Sequence, residues 1–493
     1  MSRLLELIEK NFLKYGTAAI IMAVPLYPKF PLFKIPGTYV AIRLEDFLII
    51  FIALVWALTQ LRQRLKFLRD DLSQTIIAYL AIGFLSLFSA IFITQTVEPH
   101  IAFLHSIRRV QYLVVFFIMV ASIKSKKDIR FFVQVFLLTA FLVFLYGIGQ
   151  KFFMFPVIST MNVEFAKGLA LRLVSGARVS STFAGHYDLA AYLVLLLPLT
   201  MAVVVAAKKK WQRVFLLFFY GFLFWLLLAS ASRISFAAYL GAITITLVFL
   251  KKKAWIIPVI VLSLATSVFA TELTERYAQT LRVSLIKMEE INIQLPWTKK
   301  PTRIAFEPEP TPTPMPPPDP GVAAPVKVYK ITSTPTPTPT LTPGGKRYVY
   351  YGGGGEAPPE DRSTAIRLNV EWPRAIRAFL KNPLLGTGYS SITLATDNDY
   401  LRALGEVGLL GFLAFVFILI KIGLKARKIV FSKTPIEGEK AILIGIVGGA
   451  LGFLANALFI DVFEASKVAI TFWLLMGLLV GITRVSFSKK ESQ

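Results

Sequence analysis

The stretch that decides the fold is LATDNDYLRALGEVGLLGFLAFVFILI, residues 394–420. Its second half is an apolar run, and a helix of about 20 such residues crosses the roughly 30 Å hydrocarbon layer of a bilayer. Asp397 and Asp399 stand before that run, and Arg402 and Glu406 lie at its start. The stretch predicts a membrane-spanning helix with carboxylates at its beginning, which either mark the helix end or carry out chemistry there.

Similar apolar runs recur along the 493-residue chain, which is 55% hydrophobic with a mean hydropathy of +0.63. Runs of this length and frequency predict an all-α integral membrane protein with about 12 transmembrane helices. The predicted spans lie near residues 15–33, 44–61, 74–94, 104–123, 131–150, 187–207, 213–230, 234–250, 254–271, 402–424, 439–460 and 467–485.

The net charge of +25 comes largely from short basic loops between these runs. Basic loops of this kind mark the cytoplasmic side of a membrane protein, so the pattern argues against nucleic-acid binding. It predicts a multi-pass protein of the cytoplasmic (inner) membrane with both termini in the cytoplasm. The charged start leads directly into the first span, which argues against a cleavable signal peptide. The chain has no cysteine, which excludes disulfides and a thiol nucleophile.

The same topology divides the chain into three parts. Residues 1–271 hold the first nine spans, with an external loop near 151–186. Residues 272–401 form a large external loop between the ninth and tenth spans, and residues 402–493 hold the last three spans and a cytoplasmic tail. Within the large loop, helical arms near 272–291 and 363–383 flank a Pro/Thr/Gly-rich insert at about 300–360. Its composition predicts a disordered spacer, with O-glycosylation of its threonines as the alternative.

Charged residues at the outer span ends are the candidates for function, because an ionisable group inside a span costs at least about 2.5–3.5 kcal/mol. Arg233 lies in the short polar break of LLLASASRISFAAYLG, and Arg178 and Arg172 lie in the loop before the sixth span. Each arginine either anchors its helix at the lipid headgroups or lines a cavity. In the second case Arg178 and Arg233 would converge on one anionic group such as a lipid-linked diphosphate. The other outer-end charges include His105, Arg108, Arg109, Asp461, Glu464 and Lys467.

His186 and the D-x-D pattern of Asp397 and Asp399 each have a structural and a functional interpretation. A histidine at a helix start favours a hydrogen-bonded structural role. D-x-D patterns hold divalent cations in some proteins, but two carboxylates alone make a weak metal site, and we predict no bound metal. Asp or Asn residues before residue 400 are equally suited to capping the helix that follows.

Four windows together resemble the O-antigen ligase and O-antigen polymerase superfamily of bacterial envelope polysaccharide glycosyltransferases, and they occur in that family's order. They are RVSSTFAGHYDLAAYLVLLLPL (178–199), LASASRISFAAYLGAI (228–243), RLNVEWPRAIRAFLKNPLLGTGYSS (367–391) and DNDYLRALGEVGLLG (397–411). The chain departs from the family at Asp397, where the ligases carry histidine as their base, and at Ser181, where the family has glycine. The change at Asp397 makes ligation to lipid A core less expected and leaves the acceptor open.

The resemblance implies inverting, metal-independent transfer of glycan, without a cofactor, at the outer face of the membrane. The donor would be a polyprenyl-diphosphate-linked (undecaprenyl-type) glycan, and the acceptor a hydroxyl on a glycan, lipid or protein. Arg178 and Arg233 would stabilise the leaving diphosphate, and Asp397 would be the general base. Further substrate-binding or positioning residues would be Arg367, Tyr400, Asn398, Glu406, His186 and Arg172.

Competing functions remain on sequence grounds, among them a non-catalytic scaffold of the cell envelope. A protein O-glycan transferase of the same fold would attach glycan to Ser or Thr. A flippase or transporter of lipid-linked glycan would need charged residues along the depth of several spans, whereas those found here gather at the outer ends, beside the large loop.

Overall fold

A computed structural model describes residues 2–35, 41–158, 170–173, 177–268, 366–393, 395–436 and 438–488. Over these residues the structure is mostly α-helical, which supports the predicted all-α membrane architecture. The α-helices are α1 (Ser2–Leu26), α2 (Leu44–Arg62), α3 (Asp71–Ser89), α4 (Pro99–Ser122), α5 (Lys126–Phe152), α6 (His186–Ala206), α7 (Lys210–Ala229), α8 (Arg233–Phe249), α9 (Ile256–Val268), α10 (Trp372–Lys381), α11 (Asp399–Val430), α12 (Glu439–Asn456) and α13 (Ser466–Ser488).

Within the described residues, 9 helices are long and apolar enough to cross a membrane. Shorter apolar helices occupy Asn11–Leu26, Arg233–Phe249 and Lys253–Val268, at the positions of the other three predicted spans. All twelve predicted apolar segments are therefore helical, while the number of crossings stays a prediction. The first helix ends at Leu26, earlier than expected, just before Pro28, since proline interrupts the hydrogen bonding of a helix.

Two short antiparallel ladders, which the sequence did not predict, lie in the connections. β1 (Phe33–Lys34) pairs with β2 (Ala41–Ile42), and β3 (Val157–Ile158) pairs with β4 (Ala170–Leu171). The predicted arm 272–291 and the insert at about 300–360 lie outside the described residues. The second predicted arm is helical from Arg367, first as a π-helical turn over Arg367–Glu371 and then as α10.

α6, α12 and α13 form the centre of the bundle, where 83%, 72% and 89% of their apolar windows are buried. Glycines bring α12 unusually close to α6: a Cβ built on Gly449 would lie 2.4 Å from the carbonyl oxygen of Leu195. Small residues permit such close packing of helices in a membrane. The packed centre gives the loops at the helix ends a rigid base.

Successive helices alternate in direction, so their ends fall into two groups. At one end, Lys126 pairs with Glu439 at 3.2 Å and Lys421 pairs with Asp71 at 2.6 Å. The other end holds the starts of α2, α4, α6, α8, α11 and α13, and the basic-loop pattern predicts that it faces outward. We call it the predicted outer face, and every candidate residue described below lies at or beneath it.

Candidate functional site

The loop before α11 is held in place by Asp461, on the connection between α12 and α13. One carboxylate oxygen, Oδ2, accepts the N–H of Thr396 at 2.7 Å and a guanidinium N–H of Arg402 at 3.0 Å. The other, Oδ1, accepts the N–H of Asn398 at 3.2 Å. Asp461 thus fixes the backbone on both sides of Asp397.

Asp397 has a left-handed backbone conformation, with φ +49°. Aspartate tolerates this region better than most residues, and such conformations cluster at functional sites. Its Oδ2 accepts two hydrogen bonds from Arg367, at 3.0 Å from Nε and 2.8 Å from Nη2. Within the described residues its Oδ1 accepts no hydrogen bond and is available to a substrate.

Two opposed influences act on the acidity of Asp397. Burial raises the pKa of the carboxyl above its usual value, and the negative charge of Asp461 raises it further. The Arg367 guanidinium opposes both by its charge and its hydrogen bond. A carboxylate made more basic by burial, yet kept ionised by one arginine, suits a general base.

The two carboxylates of the D-x-D pattern, Asp397 and Asp399, have different partners and do not form a joint cation-binding site. Asn398 caps α11, because its side-chain oxygen accepts the N–H groups of Tyr400 and Leu401 at 3.1 and 3.0 Å. The buried carboxylate of Asp399 accepts the backbone N–H groups of Val462 and Phe463 instead. Among the described residues, no group of three or more acidic or histidine side chains is arranged to hold a metal ion.

An ion network lies beneath this loop. Glu406, 3% exposed, pairs with Arg402 at 3.4 Å and with Arg109 at 4.0 Å, and Arg109 also contacts Glu464. These groups line a cavity of about 50 Å³ together with Tyr389 and other side chains. Glu406 is therefore a supporting residue inside the bundle. The sequence suggested that the charged residues gather at the outer helix ends, but Glu406 lies within α11.

The glycine motifs at 383–388 and 405–411 interlock where α11 is broken. Gly408 has φ +66° and Gly386 has φ +71°. A Cβ on Gly408 would lie 2.4 Å from the carbonyl oxygen of Leu384, and a Cβ on Gly386 would lie 2.5 Å from that of Glu406. The N–H groups of Leu409 and Leu410 donate to Pro383 and Leu384, replacing bonds lost at the break. Glycine is required at both positions for conformation and for space.

The two arginine-bearing turns are joined to this loop through the end of α12. Val179, next to Arg178, donates its N–H to the carbonyl of Ala229 at 3.1 Å, at the turn before Arg233. Ser235, in the first turn of α8, shares hydrogen bonds with Asn456 at 3.1 and 3.3 Å. The next residue, Ala457, accepts the N–H of Asp399 at 2.9 Å. A short series of contacts thus connects the segments that carry Arg178, Arg233 and Asp397.

The loop of Arg178 is also fixed from below by Lys467. The Lys467 ammonium group, 1% exposed, donates to the carbonyls of Thr182 and Tyr27 at 2.6 Å each and to that of Pro25 at 3.1 Å. Ser181 has φ +50°, which explains why glycine suits this position in the family that the chain resembles.

The remaining candidates differ in their placement. The Nε2 atom of His186 lies 3.1 Å from Nη1 of Arg178, and because a guanidinium group only donates, Nε2 accepts and the ring proton is on Nδ1. Tyr400 donates its hydroxyl to the carbonyl of Leu454 at 2.7 Å and braces α11 against α12. Arg172 is exposed, and no contact joins it to the described site residues.

Sequence reasoning did not place Asp461, Glu371 or Arg374 in the site. Glu371 and Arg374 follow Arg367 by four and seven residues on the inward face of one helix. The spacing of four and seven residues is that of one helix face, so the sequence could have indicated that Glu371 and Arg374 lie on the same side as Arg367. Asp461 is recognisable only from its contacts, since 64 residues separate it from Asp397.

Residues 218–416 match the family model described as O-antigen ligase. The match begins in α7 and ends in α11, so it includes three of the four windows quoted above, and the window at 178–199 precedes it. No curated protein matches the chain.

Proposed function

We propose that this protein is a membrane-embedded glycosyltransferase of the O-antigen ligase/polymerase type, because residues 218–416 match the family model described as O-antigen ligase. In this proposal it moves glycan from a polyprenyl-diphosphate-linked donor onto a hydroxyl acceptor at the outer face of the cytoplasmic membrane. The transfer inverts the anomeric centre and proceeds without a metal or cofactor.

The observation that carries the proposal is the linkage of a carboxylate to two arginine-bearing turns. Asp397 stands on a loop fixed by Asp461, and the end of α12 connects that loop to the turns of Arg233 and Arg178. In this proposal Asp397 is the base and the two arginines are the cations, and the connected loops hold them at the predicted outer face. A sugar–diphosphate bond requires this combination, because negative charge develops on the leaving phosphate as a proton leaves the acceptor.

Each group has one role in the proposed step. The acceptor oxygen forms a bond to the anomeric carbon from the face opposite the diphosphate, and its proton passes to Oδ1 of Asp397. The bond from the anomeric carbon to the phosphate oxygen breaks, and its electron pair stays on the diphosphate, which Arg178 and Arg233 stabilise. Arg367 holds Asp397 ionised and directs Oδ1 toward the acceptor.

The proposal is tested with purified protein in nanodiscs and a polyprenyl-diphosphate oligosaccharide. The measurements are glycan transfer and release of the lipid diphosphate. Asp397→Ala and Arg233→Ala should each lower the release rate at least about a hundredfold, the usual size of a general-base or charge-stabilising contribution. EDTA should have no effect. Asp71→Ala, a change in a 76% exposed carboxylate at the opposite end of the bundle, is the control.

Three outcomes contradict parts of the proposal. Movement of intact donor across a vesicle membrane with no release of diphosphate identifies a transporter. Transfer only to serine or threonine peptides identifies a protein O-glycan transferase. Normal release by Asp397→Ala removes this residue as the base.

A further inference from the structure

Glu371 lies beside the proposed base, and the mechanism above does not use it. It ends the π-helical turn Arg367–Glu371, four residues after the arginine that binds Asp397. A π-helical turn contains one residue more than an α-helical turn and is frequent at functional sites. The charged groups that face Glu371 are the carboxylates Asp397 and Asp461 and the guanidinium groups of Arg367 and Arg374.

Three buried polar atoms of residues 371–374 have no hydrogen-bond partner within the described part of the chain. Glu371 is half-buried, yet its Oε2 is enclosed and accepts no hydrogen bond. Nη1 of Arg374 and Nε1 of Trp372 are enclosed in the same way and donate none. Buried polar atoms are nearly always hydrogen-bonded, so an acceptor and two donors left without partners on one helical turn indicate a polar group that binds there.

A structural ion pair does not explain these residues. Glu371 and Arg374 are three positions apart on one helix, a spacing at which opposite charges readily pair. Nevertheless, Glu371 forms no ion pair within the described part of the chain, although Arg367 pairs with Asp397 at 2.8 Å. The two side chains thus offer unused hydrogen-bonding capacity next to the base.

We propose that Glu371 and Arg374 bind neighbouring hydroxyl groups of a saccharide acceptor and hold the reacting hydroxyl against Asp397. This inference rests on the proposed transfer reaction and names the class of its acceptor. A carboxyl group and a guanidinium N–H together match adjacent sugar hydroxyls, which donate and accept. A serine or threonine side chain has a single hydroxyl, which would bind only the carboxyl group or only the guanidinium group.

The protonation state of Glu371 supports a binding role over a second base. Burial and the charges of Asp397 and Asp461 raise its pKa to about 7, against the opposing influence of Arg367 and Arg374. Below that pH the carboxyl is neutral, donates through its O–H and accepts through its other oxygen. A bound diphosphate would add negative charge and favour the neutral form further.

The test measures transfer by the full-length protein in nanodiscs from a polyprenyl-diphosphate oligosaccharide. The acceptor probe is the oligosaccharide released from the same donor by mild acid and tagged at its reducing end. Glu371→Leu and Arg374→Met should each raise the KM for this acceptor about tenfold to a hundredfold, as expected for the loss of buried hydrogen bonds. The KM for the donor should stay unchanged. Arg377→Met, at an exposed position of the same helix, is the matched control and should behave as the wild type.

Glu371→Gln separates binding from proton transfer. Glutamine donates and accepts like the neutral acid, so this variant should keep an acceptor KM near that of the wild type. The wild-type KM should rise above a pH of about 7 as Glu371 ionises, whereas the KM of Glu371→Gln should not change there.

The possible failures are distinguishable. An unchanged acceptor KM in Glu371→Leu overturns the inference and leaves the proposed function intact. Loss of kcat in Glu371→Gln equal to that in Glu371→Leu also overturns it, because it identifies an acid–base residue. Wild-type transfer to a threonine peptide but not to the oligosaccharide overturns the saccharide subsite. A wild-type protein that releases no diphosphate overturns both proposals.

Discussion

Asp397 shows how one residue can depend on a distant one for its chemistry. Burial and Asp461 raise the pKa of its carboxyl, and Arg367 counteracts them from the other side. The resemblance implies a substrate-binding or positioning role for Arg367, and its guanidinium pairs with Asp397 at 2.8 Å. We therefore expect Arg367 to affect catalysis chiefly through the protonation of the base.

Arg367→Met should shift the acidic limb of the kcat–pH profile to higher pH by about one unit or more, the usual influence of a neighbouring arginine on an aspartate. The direction follows because Arg367 lowers the pKa of Asp397, so its removal leaves the base protonated at higher pH. The measurement is kcat at saturating donor and acceptor between pH 4 and 8 or so.

Arg367→Lys should shift the limb less, since it retains a positive charge but not the paired hydrogen bonds. A raised donor KM with an unmoved pH profile would contradict this role. That result would instead indicate that Arg367 binds the donor directly.

At the level of elements, α11 is unusual because its helical backbone is interrupted at Gly408, and the segment 382–391 packs into the interruption. Residues 382–391 lie between the end of α3 and the start of α11. Ser86 donates its hydroxyl to the carbonyl of Glu406 at 2.9 Å, and Thr96 donates to that of Thr387 at 2.6 Å. Glu406 and Arg402, which precede the break, belong to the ion network beneath the loop of Asp397. Gly386 and Gly408 thus allow residues 382–391 to pack against the break in α11.

Gly408→Ala should lower the free energy of unfolding by about 2–4 kcal/mol, from the left-handed backbone and from overpacking. The new Cβ would lie 2.4 Å from backbone atoms of Leu384, which cannot move without displacing the docked loop. Thermal unfolding of the purified protein and the transfer rate should both show the loss.

Gly423→Ala, in the same helix, is the matched control, because a Cβ there meets nothing within 4 Å. It should be neutral or stabilising by up to about 1 kcal/mol, the usual gain for alanine over glycine in a helix. Equal destabilisation by both variants would show that the docking contact is unimportant.

At the scale of the whole molecule, the site exists because alternate helix ends lie on one face. The starts of α8 and α11 and the end of α12 meet there, although Arg233, Asp397 and Asn456 are far apart in sequence. Ion pairs such as Lys126 with Glu439 occupy the opposite face. Basic loops predict that this opposite face is cytoplasmic.

The orientation is testable by labelling, and the chain offers a clean background because it has no cysteine. Arg377→Cys, at an exposed position of α10, should react with a membrane-impermeant maleimide in intact spheroplasts. Lys252→Cys, in the exposed connection between α8 and α9, should react only after the membrane is permeabilised. The reverse pattern would invert the topology and place the site in the cytoplasm.

The sequence by itself determined the helical membrane architecture, the positions of the apolar helices and the resemblance to the O-antigen ligase family. These properties depend on local hydropathy, loop charge and short motifs, all of which are readable along the chain. It also indicated Asn398 as a possible helix cap, since capping involves neighbouring residues.

Only the tertiary structure decided which residues meet. Asp461 fixes the loop of Asp397 across the connection between α12 and α13, and Arg367 reaches the same carboxylate from the large loop. Gly386 and Gly408 contact each other through a break that a hydropathy profile treats as continuous helix. Such contacts depend on how helices pack in three dimensions. The periodic pattern of one helix shows which of its faces is apolar but not which helices pack against that face.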